Sequence, residues 1–436
     1  MNRRVFMKSG ALALVTLGLS PSFLRRSVFA HGLPRAERGK LLIVLFQRGA
    51  ADALNVVVPF GDAAYYRARP TIAVPAPTRG ARGGGAIDLD GFFGLHPALA
   101  PLAPLWTRGM LAPIHAVGSP SATRSHFDAQ DYLETGTPDV KGTHDGWLNR
   151  YLATRGTCEA CAPGTPGASS APRTSDASAS PFRAVAMTAQ TPRILDGPAP
   201  TVAMTSIADF SLRAGGGDAE QRLEALYRTG HADVVHGAGA EMFEAMRILR
   251  AADPERYRAA ADADYPRSPF GQRLRQIAQL VKADVGLEVA FADVGGWDTH
   301  VNQGGATGQL ANRLDDFARA VAALVTDLGD RMDDVVILTM SEFGRTVRQN
   351  GSGGTDHGHA TSMFVIGGAV RGARRVHGRW PGLAPEQLYE GRDLALTTDF
   401  RDVFGEIVAR HMGATAVERI FPGYAGGRGD RWLGIV

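Results

Sequence analysis

Asp334-Val335-Val336-Ile337-Leu338-Thr339-Met340, running directly into Ser341-Glu342-Phe343-Gly344-Arg345-Thr346, is the stretch that decides the fold. An uninterrupted apolar run of this length, rich in β-branched residues, reads as a strand buried on both faces, as in a parallel sheet. The polar residues that follow it form a loop at the strand's carboxyl end. Ligands of open α/β sheets gather at such ends, so Glu342 falls where chemistry is expected.

The same pattern recurs on both sides. Lys40-Leu41-Leu42-Ile43-Val44-Leu45-Phe46 ends in Gln47-Arg48-Gly49-Ala50-Ala51-Asp52, and Leu287-Glu288-Val289-Ala290-Phe291-Ala292 leads to Gly295-Gly296-Trp297-Asp298-Thr299-His300. Met110 to Val117 is a further buried strand, and a helix is expected to start near Ser125 and stop at Thr135-Gly136. Phe182–Met187 and Thr201–Met204 are weaker strand candidates, and Met363–Gly368 is another strand. Residues 218–283 read as mostly helical, and Leu310–Leu328 as an amphipathic helix with Leu314, Phe317, Val321 and Leu324 on its apolar face. Apolar strands alternating with helices predict an α/β protein with a doubly wound, mostly parallel sheet.

Loops at strand ends share a rim, and this rim is rich in metal-binding side chains. Asp52, Asp298, His300, Glu342, Asp356, His357 and His359 are the expected ligands. So many carboxylates would repel one another unless divalent cations relieved them. Mixed Asp, Glu and His ligands suit zinc, manganese, iron or magnesium better than calcium. Ser125 at a helix N-terminus is the expected nucleophile, with His126 and Asp128 as alternative reactive residues. Arg345 and Arg124 are expected to clamp anionic oxygens, and Asn55 to contact substrate.

Five ordered segments carry a family resemblance: Arg48 to Asn55, Arg124-Ser125-His126-Phe127-Asp128-Ala129-Gln130, Gly295 to His300, Ser341 to Thr346, and Gly354-Thr355-Asp356-His357-Gly358. They resemble the bacterial domain of unknown function 1501 family, across nearly all of residues 40–415. That family is grouped with the alkaline phosphatase, sulfatase and cofactor-independent phosphoglycerate mutase superfamily. The resemblance implies an alkaline-phosphatase-like fold. It also implies an acid after the first strand (Asp52), a nucleophile opening a helix (Ser125), an Asp/His pair (Asp298 and His300), an acid ending a strand (Glu342), and the Asp356-His357-Gly358 and His359 positions. The spacing of Asp298 and His300 is shorter than the superfamily's, and Glu342 stands where an Asp-His pair is usual.

Met1 is followed by Asn2-Arg3-Arg4-Val5-Phe6-Met7-Lys8, an apolar stretch from Ala11 to Phe23, and Val28-Phe29-Ala30. Residues 1–30 therefore read as a twin-arginine signal peptide, with a periplasmic or secreted destination and the twin-arginine machinery as partner. Its five basic residues and lack of acids change the balance from 47 against 44 to 42 against 44. A near-neutral chain gives no electrostatic case for nucleic acid, and no later segment is long and apolar enough for a membrane span. Residues 156–181 are rich in Gly, Ala, Ser, Thr and Pro and carry Cys158 and Cys161. They read as a disordered surface insertion in a domain of residues 40–415, with 416–436 as a C-terminal tail. The expected function is metal-dependent hydrolysis of phosphate or sulfate esters, borne by a small molecule or a polysaccharide. The alternative is a non-catalytic binding or surface protein with a degraded site.

Overall fold

The computed structural model describes residues 39–436 except 79–83, 155–179, 209–247, 249–255, 372–373, 427–428 and 430. The expected signal peptide, the two cysteines with most of the expected insertion, and the first part of the stretch expected to be helical after residue 218 lie outside the described residues.

The apolar runs become an eight-stranded sheet. Its strands are β1 (Leu41–Gln47), β5 (Leu111–Gly118), β6 (Ala184–Ala186), β7 (Val202–Ala203), β8 (Val289–Val294), β9 (Val335–Met340), β10 (Thr361–Gly367) and β11 (Thr398–Asp399). Their spatial order is β11-β5-β10-β9-β1-β8-β6-β7, while β2 (Val57–Val58), β3 (Ile87–Asp88) and β4 (Gly94–Leu95) form a separate antiparallel ribbon. β1 lies between β8 and β9, parallel to both, with Val44 opposite Phe291 on one side and Leu338 on the other. β10 is antiparallel to both its neighbours, so it alone runs against the other seven.

Alternation along β1 explains why helices cover both faces. Leu41, Ile43 and Leu45 pack with Leu274 and Ile277 of helix Pro269–Lys282 and with Leu314, Phe317 and Val321 of helix Gln309–Leu328. Leu42, Val44 and Phe46 pack with Trp147, Leu148 and Tyr151 of helix Trp147–Thr154 and with Phe400, Val403 and Phe404 of helix Phe400–Glu406. This is the doubly wound, mostly parallel α/β arrangement expected. The C-terminal stretch joins the second layer: Ile435 and Val436 are buried there, and the Glu406 carboxylate accepts the backbone N–H groups of residues 433–436. No helix among the described residues is long and apolar enough to cross a membrane.

The direction of β10 matters for the site. Asp356, His357 and His359 do not leave a parallel strand. They enter β10 from the rim where β1, β5, β8 and β9 end, because an antiparallel strand presents its amino end there.

Candidate metal centre

Glu342 leaves β9 fully buried, and its Oε1 is surrounded by donors. Gly49 N–H donates to it at 2.8 Å, Gln130 Nε2 at 2.9 Å and the His126 ring through Nδ1 at 2.8 Å. Burial pushes the carboxyl up, but the bonds from His126, Gln130 and the backbone outweigh this and hold it below the usual range. An ionised carboxylate only accepts, so His126 carries its proton on Nδ1 and offers a lone pair at Nε2. That Nε2 is buried, has no hydrogen-bond partner, and lies 3.6 Å from Asp298 Oδ2. The bond to Glu342 raises the His126 pKa, against burial.

Two more imidazoles are held in the same way. His300 directs Nδ1 to Asp356 Oδ1 at 3.0 Å, and that bond, with one from Asn350, keeps the Asp356 carboxyl below its ordinary range. His357 directs Nδ1 to the Arg124 backbone carbonyl at 2.9 Å; a carbonyl can only accept, so the proton is again on Nδ1. Burial lowers the His357 pKa, and the nearby Arg345 charge adds to this. Their Nε2 atoms converge. His300 Nε2 is 3.0 Å from His357 Nε2 and 3.0 Å from Asp298 Oδ1, and His357 Nε2 is 3.3 Å from the same oxygen. Donor atoms of His126, Asp298 and His357 all lie within 4.8 Å of one another. Phe343 stacks on the His126 ring at 4.9 Å, and the His126 and His357 rings meet edge to face at 4.3 Å.

Helix His126–Thr135 brings His126 to this point. Ser125 is its N-cap, accepting from Asp128 N–H, and Gly136 ends it in the left-handed conformation. Ser125 thus occupies the expected position as a capping hydroxyl, while the next residue joins the cluster. His126 was legible only as an alternative reactive residue; its signal is a histidine just inside a capped helix at the rim.

The remaining expected site residues have other partners. Asp52 is fully buried and not joined to the cluster: Arg69 Nη1 and Nη2 meet its two oxygens at 2.5 and 2.9 Å, and Gln303 Nε2 donates to it at 2.6 Å. Asn55 is also buried, accepting from Arg69 and Tyr65 and donating to the Ile72 carbonyl, so it is turned away from any substrate. Arg345 is no free clamp. It donates to the carbonyls of Gly49, Ala50, Trp297 and Thr355, and to Asp298 Oδ1 at 2.5 Å. Burial pushes the Asp298 carboxyl up, and the hydrogen bond and charge of Arg345 bring it below its ordinary range. The Arg124 side chain is spent on Asp393 and Glu390. His359 stacks on Tyr389 at 4.2 Å, beside the Arg124–Asp393 pair. Glu342 and Asp356 are at the cluster, but each faces an imidazole N–H.

Asp393 escaped the sequence reading. It is fully buried, accepts from Arg124 Nη2 at 2.7 Å and from Arg392 Nε at 2.9 Å, and Arg392 donates in turn to the His357 carbonyl. Both arginines that touch His357 therefore converge on one carboxylate.

Fold and site together define a class: an α/β protein whose parallel strands end at a cluster of imidazoles and one carboxylate. Residues 103–421 match the family described as Protein of unknown function (DUF1501), and the chain belongs to that family. No curated protein matches the chain. Among solved structures it is similar to the C-terminal periplasmic domain of EcEptC from Escherichia coli in complex with Zn. The identity there is 11%, covering 77% of this chain and 74% of that one, with a TM-score of 0.34. It is also similar to the PsFucS1 sulfatase from Pseudoalteromonas sp., at 12% identity, 82% and 68% coverage and a TM-score of 0.32.

Proposed function

We propose that the chain is an exported, alkaline-phosphatase-like hydrolase of phosphate or sulfate esters that depends on a divalent metal ion held by His126, Asp298 and His357. One observation carries the reading. His126 Nε2 is a buried lone pair without a partner, while its Nδ1–H is locked on an ionised, buried glutamate. An imidazole oriented through its other nitrogen by a carboxylate is the usual support of a metal ligand. The donor set fits such an ion: two imidazole nitrogens and a carboxylate oxygen within 4.8 Å of one another. A bound ion would supply positive charge at the ester's reacting oxygens and lower the pKa of a hydroxyl or water nearby. The protein's own part is orientation: Glu342 and the Arg124 carbonyl fix two rings, and Arg345 fixes Asp298. Export rests on the Arg3-Arg4 signal.

The test is metal analysis of the purified protein together with turnover of aryl phosphate and aryl sulfate esters. His126→Ala and His357→Ala are expected to lose both metal and activity while remaining folded. Metal retained at the parent level in both variants would reject the site. A second reading, a binding protein with a degraded site, draws on the consumption of both expected anion clamps by internal partners. It predicts bound metal without turnover.

A further inference from the structure

We infer that the site is a mononuclear centre of three imidazoles and one carboxylate, with His300 as the fourth ligand, and that it selects a first-row transition ion over magnesium or calcium. The inference rests on the metal reading above and extends it to ligand set, ion number and ion class.

The proton positions argue first. His300 and His357 each spend their ring N–H on Nδ1, toward Asp356 and the Arg124 carbonyl. In their neutral forms both Nε2 atoms are then bare lone pairs, yet they lie 3.0 Å apart. Two lone pairs at that distance repel unless a proton or a cation sits between them. Arg345 Nη1 also approaches His300 Nε2, at 3.4 Å, but its shorter bond is to the Thr355 carbonyl at 3.0 Å. A cation shared with Asp298 and His126 relieves the repulsion and satisfies the orphaned His126 Nε2 in one step.

Three of the donors stand near the edge lengths of a small tetrahedral ion. Metal–ligand bonds of about 2.1 Å give tetrahedral edges of about 3.4 Å. His300 Nε2, His357 Nε2 and Asp298 Oδ1 stand 3.0, 3.0 and 3.3 Å from one another, and His126 Nε2 approaches the other oxygen of Asp298, Oδ2, at 3.6 Å.

A second ion lacks ligands. Asp52 is held by Arg69 and Gln303, Glu342 by Gly49, Gln130 and His126, and Asp356 by His300 and Asn350. Among the described residues no other group of three His, Cys, Asp or Glu donors comes together. Nitrogen-rich coordination disfavours magnesium and calcium, which take oxygen ligands, and suits zinc, cobalt, iron, nickel, copper or manganese.

The test uses the full mature chain stripped with a chelator and then titrated with Zn2+, Co2+, Mg2+ and Ca2+, following stoichiometry by atomic spectroscopy and Co2+ by its visible absorption. One Zn2+ or Co2+ per chain is expected, with Mg2+ or Ca2+ in hundredfold excess failing to displace it. His300→Ala should weaken Co2+ binding by at least roughly 100-fold and change the cobalt spectrum, since a ligand lost should cost no less than the 10–100-fold typical of outer partners. His359→Ala should change neither. Two ions per chain, displacement by Mg2+, or a His300→Ala protein with parental affinity and spectrum would each overturn the inference while leaving a metal-dependent hydrolase standing. A parent that binds none of these ions would overturn the metal reading itself, and with it this centre, and would mean that the imidazole cluster is held by a shared proton.

Discussion

Replacing Asp52 separates a structural carboxylate from a metal ligand. Asp52 and Arg69 have fully buried side chains, and the guanidinium meets both carboxylate oxygens, at 2.5 and 2.9 Å. Arg69 also donates to the Val347 and Thr346 carbonyls at 2.9 Å each and to Asn55 at 2.7 Å. Asp52→Ala leaves that guanidinium buried without a counter-charge, and breaking a buried pair by removing one partner costs about 3–5 kcal/mol. Removing both charges is different, because an apolar pair of similar volume in place of a buried ion pair is often neutral. The double variant Asp52→Leu/Arg69→Met should therefore recover much of the loss, against the additive expectation that it be worse than either single change. Urea unfolding of the parent, Asp52→Ala, Asp52→Leu, Arg69→Met and the double variant measures this directly, with zinc content determined on each. Asp52→Ala should fall by about 3–5 kcal/mol while its folded fraction binds zinc as the parent does. Unchanged stability with lost metal would refute the assignment and return Asp52 to the metal site.

Other positions give independent checks. Asp393→Asn should weaken metal binding by roughly 10-fold, because outer partners of ligands cost 10–100-fold when changed; equilibrium dialysis with zinc reads this, and parental affinity would deny Asp393 any hold on His357. Ser125→Ala should cost about 1 kcal/mol of stability through the lost cap and leave the metal stoichiometry untouched; if turnover is also unchanged, Ser125 is no nucleophile. His115 is buried, donates Nε2–H to the Val57 carbonyl at 2.9 Å and accepts the Ala116 N–H on Nδ1 at 3.0 Å, and burial pushes its pKa down from 6.5 to about 4. The folded pKa lies below the unfolded one, so the unfolded chain binds the extra proton. Stability should fall as pH drops from 6.5 to about 4, by about 3 kcal/mol from this group. Unfolding of the parent and of His115→Gln between pH 7 and 4 should show a shallower acid decline in the variant, and parallel curves would deny His115 the effect.

The strands and the helix ends were legible because they are written in local patterns. The apolar runs at 41–46 and 335–340 can only be buried, and Ser125 and Gly136 cap their helix through their own backbone preferences. The direction of β10 was not legible. Nothing in Thr361–Gly367 says which way the strand runs beside β5 and β9, so the residues ahead of it read as though they followed a strand. The roles of the carboxylates were hidden for a related reason. A sequence can place Asp52, Glu342 and Asp356 at strand ends, but whether each meets a cation, a guanidinium or an imidazole N–H depends on what the rest of the chain brings within about 3 Å. Arg69 has no signature that separates it from other arginines, and it neutralises Asp52 from 17 residues away. The Arg124 carbonyl has no side-chain signature at all, yet it fixes the proton of His357. The number of ions such a rim can hold depends on the lone pairs left once buried cations and imidazole protons have taken theirs. Counting acidic residues therefore overstates that number, and the excess is carried by Asp52, Glu342 and Asp356, the carboxylates whose partners lie elsewhere in the sequence.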